Sequence, residues 1–156
     1  MPYKPPFGQL KGPVLVSACL LGIPCRYNCQ TKPRPAFLDD LDIIPVPICP
    51  EQLGGLPTPR PPAYFIGGDG EDVLGGRATL KNREDIDVTN YFIHGADNVC
   101  KIAQFLNVEW AVLKEKSPSC ATHQIWFGDS LVSGLGVTAA MLKQMGVSLM
   151  NEDGTV

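Results

Sequence analysis

The sequence has few charged residues and no block of like charges. Asp, Glu, Lys and Arg make up 19% of its 156 residues and leave a formal net charge of −3. A slight excess of acid argues against general nucleic-acid binding, which usually needs a basic face, but it does not exclude a small basic pocket. No apolar stretch is long enough to cross a bilayer, and no internal repeat or low-complexity segment occurs. We therefore expect residues 1–156 to form one domain with a substantial core.

The first residues, 1–6, lack the apolar core of a signal peptide, so we expect a reducing, cytoplasmic environment. Six cysteines are a high count for a chain of this length. In a secreted protein they would predict three disulfides, whereas in the cytoplasm clustered cysteines indicate metal or redox chemistry. Only two histidines accompany them, and we interpret His94 and His123 as structural.

Three strand-like runs each end near a cysteine. The runs 13–18, 43–48 and 108–113 lead to Cys19, Cys49 and Cys120, respectively. The carboxyl ends of parallel strands meet at one edge of a sheet, and ligands bind at that edge in open α/β folds. Thiolates prefer zinc, copper(I) and iron–sulfur clusters. Three thiolates without a nearby histidine leave one coordination position unfilled, which is typical of a catalytic centre.

Strand and helix patterns alternate along the chain. Apolar residues repeat at helical spacing over 88–106 and over 137–145, and a last strand is predicted over 147–150. Residues 1–12 are predicted to be an extended lead-in, and the glycines at 67–70 to form the turn of a short hairpin. This alternation predicts a single-domain, Rossmann-like, three-layer α/β fold with a mostly parallel sheet and its cysteines at the carboxyl edge.

Five polar residues are candidates for chemistry, and three of them lie within three positions of Cys49 or Cys120. Glu51 could carry protons, and Ser117 or Ser119 could position a substrate or a water molecule. Arg26 and Arg60, in loops shaped by glycine and proline, could hold a carbonyl or a phosphate. Each also has a structural interpretation: a solvated loop acid, an ordinary Ser-Pro turn, or an arginine paired on the surface.

The remaining cysteines are open to more than one interpretation. The gaps between Cys19, Cys25 and Cys29 match neither zinc-finger pairs nor the ferredoxin run. Cys25 and Cys29 could lie behind the ligands, form a disulfide in air, or compete as ligands. Cys100 lies among apolar residues of the predicted helix and is expected to pack in the core.

Taken together, the motifs resemble those of the thiouracil desulfurase family. Ser-Ala-Cys-Leu-Leu-Gly at 17–22, followed by Cys-Arg-Tyr at 25–27, is similar to the opening signature of that family. The further motifs are Cys-Pro-Glu at 49–51, Pro-Arg-Pro-Pro-Ala at 59–63, Ser-Pro-Ser-Cys at 117–120 and Gly-Val-Thr-Ala-Ala at 136–140. They occur in the family's order and span most of the chain.

The resemblance implies a [4Fe–4S] cluster held by Cys19, Cys49 and Cys120, with its fourth iron free to take sulfur from the substrate. It also implies that Glu51 and Ser117 take part in catalysis. The implied reaction is desulfuration of 2- or 4-thiouracil or its nucleoside, in which C=S becomes C=O and sulfide is released. We assign Arg26, Arg60 and Ser119 to substrate binding.

The sequence departs from the family pattern at Asn28-Cys29, at Tyr64 and at Ala121. We expect these positions to surround the pocket, so that the choice of substrate is open. The mild acidity favours a free base or nucleoside, with thiolated tRNA as an alternative. A second hypothesis is a non-catalytic zinc or iron–sulfur binding module, in which Glu51 and Ser117 have no role.

Overall fold

The computed structural model describes residues 7–156. In chain order its elements are β1 (Gly12–Ser17), β2 (Ile43–Ile48), α1 (Pro50–Leu53), β3 (Ala63–Ile66), α2 (Gly70–Leu74), β4 (Thr79–Asn82), α3 (Thr89–Leu106), β5 (Trp110–Leu113), β6 (Gln124–Phe127), β7 (Ser130–Ser133), α4 (Val137–Gln144) and β8 (Ser148–Asn151). Short 3₁₀ turns occur at Phe7–Gln9, Ala18–Leu21 and Ala36–Asp40. The predicted mixed α/β class is confirmed.

The centre of the fold is a parallel four-stranded sheet with the order β2-β1-β5-β8. β5 is buried along its whole length and β1 along most of it, which explains their continuous apolar sequences. One face of the sheet packs against α3 and α4 through Leu15, Ala111 and Leu113. On the other face, Val16 and Val112 pack in a second cluster with residues of the 3₁₀ turns, so this outer layer is built from turns.

β2 lies at the edge of the sheet, where its two prolines are tolerated. Pro45 pairs with Val14 of β1 and Pro47 pairs with Val16. Proline cannot donate a ladder hydrogen bond, so it occurs in strands that have a free side. From β1 the chain passes to β2 on one side and later to β5 on the other. This reversal opens a crevice at the carboxyl ends of these strands, the usual binding position in such sheets.

Two antiparallel hairpins lie outside the central sheet. β3 pairs with β4, and β6 pairs with β7. The hairpin predicted around residues 67–70 is present, but α2 lies between its strands because Asp69 begins a helix there. The side chain of Asp69 accepts the backbone N–H of Asp72, and the Asp72 side chain accepts that of Asp69. α1, α2 and β7 were not predicted from the sequence.

The extended lead-in predicted over 1–12 is only partly described. Residues 1–6 lie outside the described part, residues 7–9 form a 3₁₀ turn, and β1 begins at residue 12. In the described part of the chain, no helix is both long and apolar enough to cross a membrane.

Candidate active site

A cavity of about 340 Å³ opens at the carboxyl ends of β1, β2 and β5. Cys19, Cys49 and Cys120 all line it, so three cysteines from distant parts of the chain reach one space. Cys19 lies in the 3₁₀ turn after β1, Cys49 caps the start of α1 after β2, and Cys120 ends the turn that follows β5. The cavity therefore has the position predicted from the strand pattern.

The cavity holds the thiols of Cys49 and Cys120 in an environment that disfavours negative charge. Burial raises the pKa of Cys120 to about 12. A hydrogen bond with Cys25, followed by burial, raises the pKa of Cys49 well above its ordinary value. Thiolates at these positions would need a compensating positive charge, which bound iron supplies.

The thiols of these three cysteines are ligands of the kind that hold iron–sulfur clusters, so the donor set fits such a cluster. Within residues 7–156, no group of three or more His, Cys, Asp or Glu side chains is close enough to hold one metal ion. The cysteines share the wall of one cavity, as the ligands of a cluster do. All six cysteines are free thiols.

Cys25 lies close to the cavity cysteines Cys19 and Cys49, which its spacing in the sequence did not indicate. It is buried, it lines the cavity, and interactions with the thiols of Cys19 and Cys49 shift its pKa, with the net result that the pKa is raised. Cys49 Sγ also points to the Cys25 carbonyl oxygen at 3.7 Å. Cys29 is exposed outside the cavity wall, while Cys100 is buried in the core as predicted.

Glu51 is held in the cavity wall by two of the predicted site residues. Its Oε1 accepts a hydrogen bond from Arg60 Nε at 3.0 Å, and its Oε2 accepts one from Ser119 Oγ at 3.2 Å. Glu51 is therefore not a solvated loop acid. Its carboxylate is fixed between the turn that follows Cys49 and the turn that carries Cys120.

Arg60 is 7% exposed and directs most of its donors to the protein. Besides Glu51, its guanidinium contacts the carbonyl oxygens of Pro57 and Cys25 and the hydroxyl of Thr58. These contacts tie the turn of Cys25 to the catalytic acid predicted from sequence. They support a role for Arg60 in positioning Glu51, in addition to the substrate-binding role that was predicted for it.

The hydroxyl of Ser117 shapes the turn that ends at Cys120. Its Oγ accepts the backbone N–H groups of Ser119 and Cys120, both at 3.2 Å. It also lies within hydrogen-bonding reach of the Cys120 thiol, as does Ser17. Ser117 therefore lines the cavity next to a predicted ligand, where a substrate would meet it.

Arg26 also lines the cavity, and its guanidinium lies over the ring of Tyr27, 5.7 Å from the ring centre.

The positions that depart from the family pattern lie outside the cavity wall. Asn28 and Tyr64 are exposed, and Ala121 is packed in the core. Each of them directly follows a residue that lines the cavity, namely Tyr27, Ala63 and Cys120, so these positions border the cavity wall without being part of it.

The cavity wall includes other residues that were not predicted to be site residues. Trp126 of β6 is 48% exposed and lines the cavity, Lys114 directly follows β5, and Glu115 comes next. Lys114 Nζ is paired with Glu152 at 3.1 Å. An aromatic residue in a hairpin carries no local signal that it faces a distant cavity. For Lys114 and Glu115, proximity to the Ser-Pro-Ser-Cys segment was the available signal.

Comparison with known proteins places this geometry in context. The family model described as 2-thiouracil desulfurase matches residues 14–154. A Bacillus subtilis (strain 168) protein, described as the uncharacterized protein YbbK, is 41% identical over 146 residues, which cover 90% of this chain and 95% of that protein. A solved structure of the [4Fe–4S]-dependent thiouracil desulfidase TudS (DUF523Vcz) is 36% identical, with a TM-score of 0.79 and coverage of 92% of both chains.

Proposed function

Because the chain belongs to the 2-thiouracil desulfurase family, we propose that it desulfurates a thiolated uracil with the aid of a [4Fe–4S] cluster. The substrate is 2- or 4-thiouracil or the corresponding nucleoside, and the products are the C=O compound and sulfide. The observation that carries the proposal is the meeting of Cys19, Cys49 and Cys120 in one cavity beside Glu51. The solved relative is itself named as [4Fe–4S]-dependent.

In this proposal Cys19, Cys49 and Cys120 hold the cluster. When bound through three cysteines, the cluster supplies an iron without a protein ligand, a Lewis acid suited to the sulfur of a thiocarbonyl. Cys25 touches two of the proposed ligands, and we assign it to their support.

Glu51 is the proposed proton carrier. The reaction replaces C=S with C=O: water supplies the oxygen, both of its protons leave with sulfur as hydrogen sulfide, and no electron is transferred. One carboxylate can take a proton from the attacking water and return it to the departing sulfur. The Arg60 and Ser119 hydrogen bonds orient the carboxylate for both transfers.

The wall of the cavity offers contacts that suit a pyrimidine. Trp126 presents an aromatic surface on which a flat ring can stack. Ser117 can hydrogen-bond the ring or the sulfur, and Arg26 can donate to a ring carbonyl. With a volume of about 340 Å³, the cavity lies within the range of small-molecule sites.

The experiment is anaerobic reconstitution followed by iron and acid-labile sulfide analysis. We expect about four irons and four sulfides per wild-type chain, and a large loss of both in Cys19→Ser, since a thiolate ligand is removed. Cys100→Ser is the matched control, because Cys100 is buried in the core away from the cavity. Fewer than about three irons in the wild type, or wild-type loading in Cys19→Ser, would contradict the ligand assignment.

A substrate comparison then tests the proposed reaction. We expect the loaded protein to release sulfide from 2-thiouracil, 4-thiouracil or a thiouridine faster than from thiolated tRNA. Faster release from the tRNA would overturn the small-molecule assignment. A loaded protein that releases no sulfide from any of them would favour the binding-module hypothesis.

A further inference from the structure

Glu115 is a buried carboxylate that the proposed reaction does not use. The residue is 8% exposed and immediately precedes the turn that carries Ser117 and Cys120. Its Oε1 accepts three consecutive backbone N–H groups from the far side of that turn. The donors are Thr122 at 2.9 Å, His123 at 2.9 Å and Gln124 at 3.0 Å.

The second oxygen of Glu115 is equally occupied. Oε2 accepts the hydroxyl of Thr122 at 2.9 Å and the side-chain amide of Asn151 at 3.0 Å, and it lies 3.2 Å from Nδ1 of His123. Both oxygens are thus saturated by the protein. The carboxylate therefore acts on the loop and not on a substrate, although Glu115 forms part of the cavity wall.

The backbone of Glu115 is fixed as well. Its N–H donates to Glu152 Oε2 at 2.6 Å, and its carbonyl oxygen accepts Lys114 Nζ at 2.6 Å. Asn151 belongs to β8 and Glu152 follows it, so Glu115 joins the end of β5 to the end of β8 and to the start of β6.

These contacts close a ring around the turn 116–121. Glu115 lies before the turn and its three amide donors lie after it, so one side chain sets the separation of the two ends. Inside the ring, the turn is held by Ser117 Oγ and by the bond from Ala121 N to Ser117 O at 3.0 Å. The turn is also held by backbone hydrogen bonds from Val137, Thr138 and Ala139 at the start of α4, so a change at Glu115 is expected to displace Ser117 and Cys120 slightly and not to release them.

We propose that Glu115 is a positioning residue, whose carboxylate places Ser117 and Cys120 for cluster binding and desulfuration. The inference rests on the proposed function, but it adds a residue that neither the motifs nor the comparisons assign. The strong lowering of its pKa supports the argument, because the carboxylate stays ionised as an acceptor for all its donors.

The test is Glu115→Gln in the full chain, reconstituted anaerobically. Glutamine keeps one oxygen acceptor but presents an NH₂ group to the amide of Asn151, so the ring loosens. We expect kcat for thiouracil to fall about ten- to a hundredfold with KM changed less than about threefold, because a small misplacement is costly. The visible circular dichroism of the cluster, which reports the arrangement of its ligands, should change as well.

Two comparisons keep this test decisive. Glu109→Gln, at an exposed glutamate outside the cavity, is the matched control and should behave as wild type. If Glu115→Gln does not fold, Thr122→Val removes a single donor and should cause smaller changes in the same direction. A folded variant with a lower melting temperature but wild-type kcat and circular dichroism would overturn the proposal, since a purely structural role predicts that result.

The circular dichroism also separates this inference from the proposed function. A wild-type protein that binds the cluster but does not desulfurate thiouracil would defeat the proposed reaction alone. An unchanged circular dichroism signal of the cluster in Glu115→Gln would contradict the positioning role of Glu115 but not the proposed reaction. If Glu115→Gln does not fold, the same conclusion follows from an unchanged signal in Thr122→Val.

Discussion

Ser119 donates its hydroxyl hydrogen to Oε2 of Glu51 over 3.2 Å, although 68 positions separate the two residues in the chain. The bond joins the turn that ends at Cys120 to the segment that begins at Cys49. Ser119 was predicted to bind substrate, yet in the structure the residue is 1% exposed and its hydroxyl is engaged with the acid. The acid is thereby fixed between two of the proposed ligands.

The first prediction concerns Glu51 itself. Glu51→Gln keeps the shape of the side chain and an acceptor for Arg60, but it removes the proton carrier. We expect kcat to fall by about 10² to 10⁴, the usual contribution of general acid–base catalysis, with iron content unchanged. Glu71→Gln, at an exposed glutamate of α2, is the control. A Glu51→Gln variant with wild-type kcat would exclude the proposed role.

The second prediction separates two roles for Arg60. A lysine has one ammonium group and cannot reproduce the fork that holds Glu51 and the Cys25 carbonyl oxygen together. If Arg60 positions Glu51, steady-state kinetics of Arg60→Lys will show a lower kcat with little change in KM. A raised KM with unchanged kcat would instead support the direct substrate contact. Arg77→Lys, in an exposed ion pair, is the control.

The third prediction concerns the close approach of Gly136 to the turn of Cys120. A Cβ at Gly136 would lie 2.4 Å from the carbonyl carbon of Ser119 and 2.6 Å from the backbone nitrogen of Cys120. Gly136→Ala must push this backbone away, so we expect about 1–3 kcal/mol lower unfolding free energy and reduced iron loading. Gly8→Ala, which meets nothing within 4 Å, is the control. Wild-type loading in Gly136→Ala would show that this contact is not needed.

The fourth prediction is a pH dependence of stability set by Glu115. Burial, the largest single effect, raises its pKa, but hydrogen bonds from two backbone amides and two side chains outweigh it and lower the pKa from 4.5 to about 2. Between these values the unfolded chain binds more protons than the folded one, so stability falls with falling pH. The contribution, on the order of 3 kcal/mol, is present above pH 4.5 and is lost as the pH approaches 2.

Urea unfolding of the reduced, cluster-free protein between pH 6 and pH 3 measures this effect. We expect the difference in stability between wild type and Glu115→Gln to shrink as the pH falls. The exposed carboxylates whose pKa values are also lowered, Asp72 and Asp87, are present in both proteins and cancel in the difference. A difference that stays constant across this range would contradict the assignment.

The sequence predicted the scaffold of the site because the scaffold depends on local patterns. Continuous apolar runs identify β1 and β5 as buried strands, and each run ends near a cysteine. The helical spacing of residues 88–106 identifies α3, which ends at Asn107 in the left-handed conformation. Local patterns also predicted β2, and its edge position explains how a strand can contain Pro45 and Pro47.

The sequence could not predict which polar groups pair across the site. The partners of Glu51 lie 9 and 68 positions away, and those of Glu115 extend to Asn151. Such pairs depend on how strand ends meet in three dimensions, for which one sequence carries no signal. For the same reason, the sequence did not indicate that Cys25 lies near Cys19. The conformation of the intervening turn brings the two residues together, and the number of residues between them does not reveal it.

The most direct test of the account is the desulfuration of thiouracil by anaerobically reconstituted protein, with uracil and sulfide measured together. We predict one sulfide released for each uracil formed, without added reductant, and loss of both products in Cys49→Ser. Cys29→Ser, which changes an exposed cysteine, should release both at the wild-type rate. A fully loaded wild-type protein that forms no uracil, or a Cys49→Ser variant that forms it at the wild-type rate, would contradict the account.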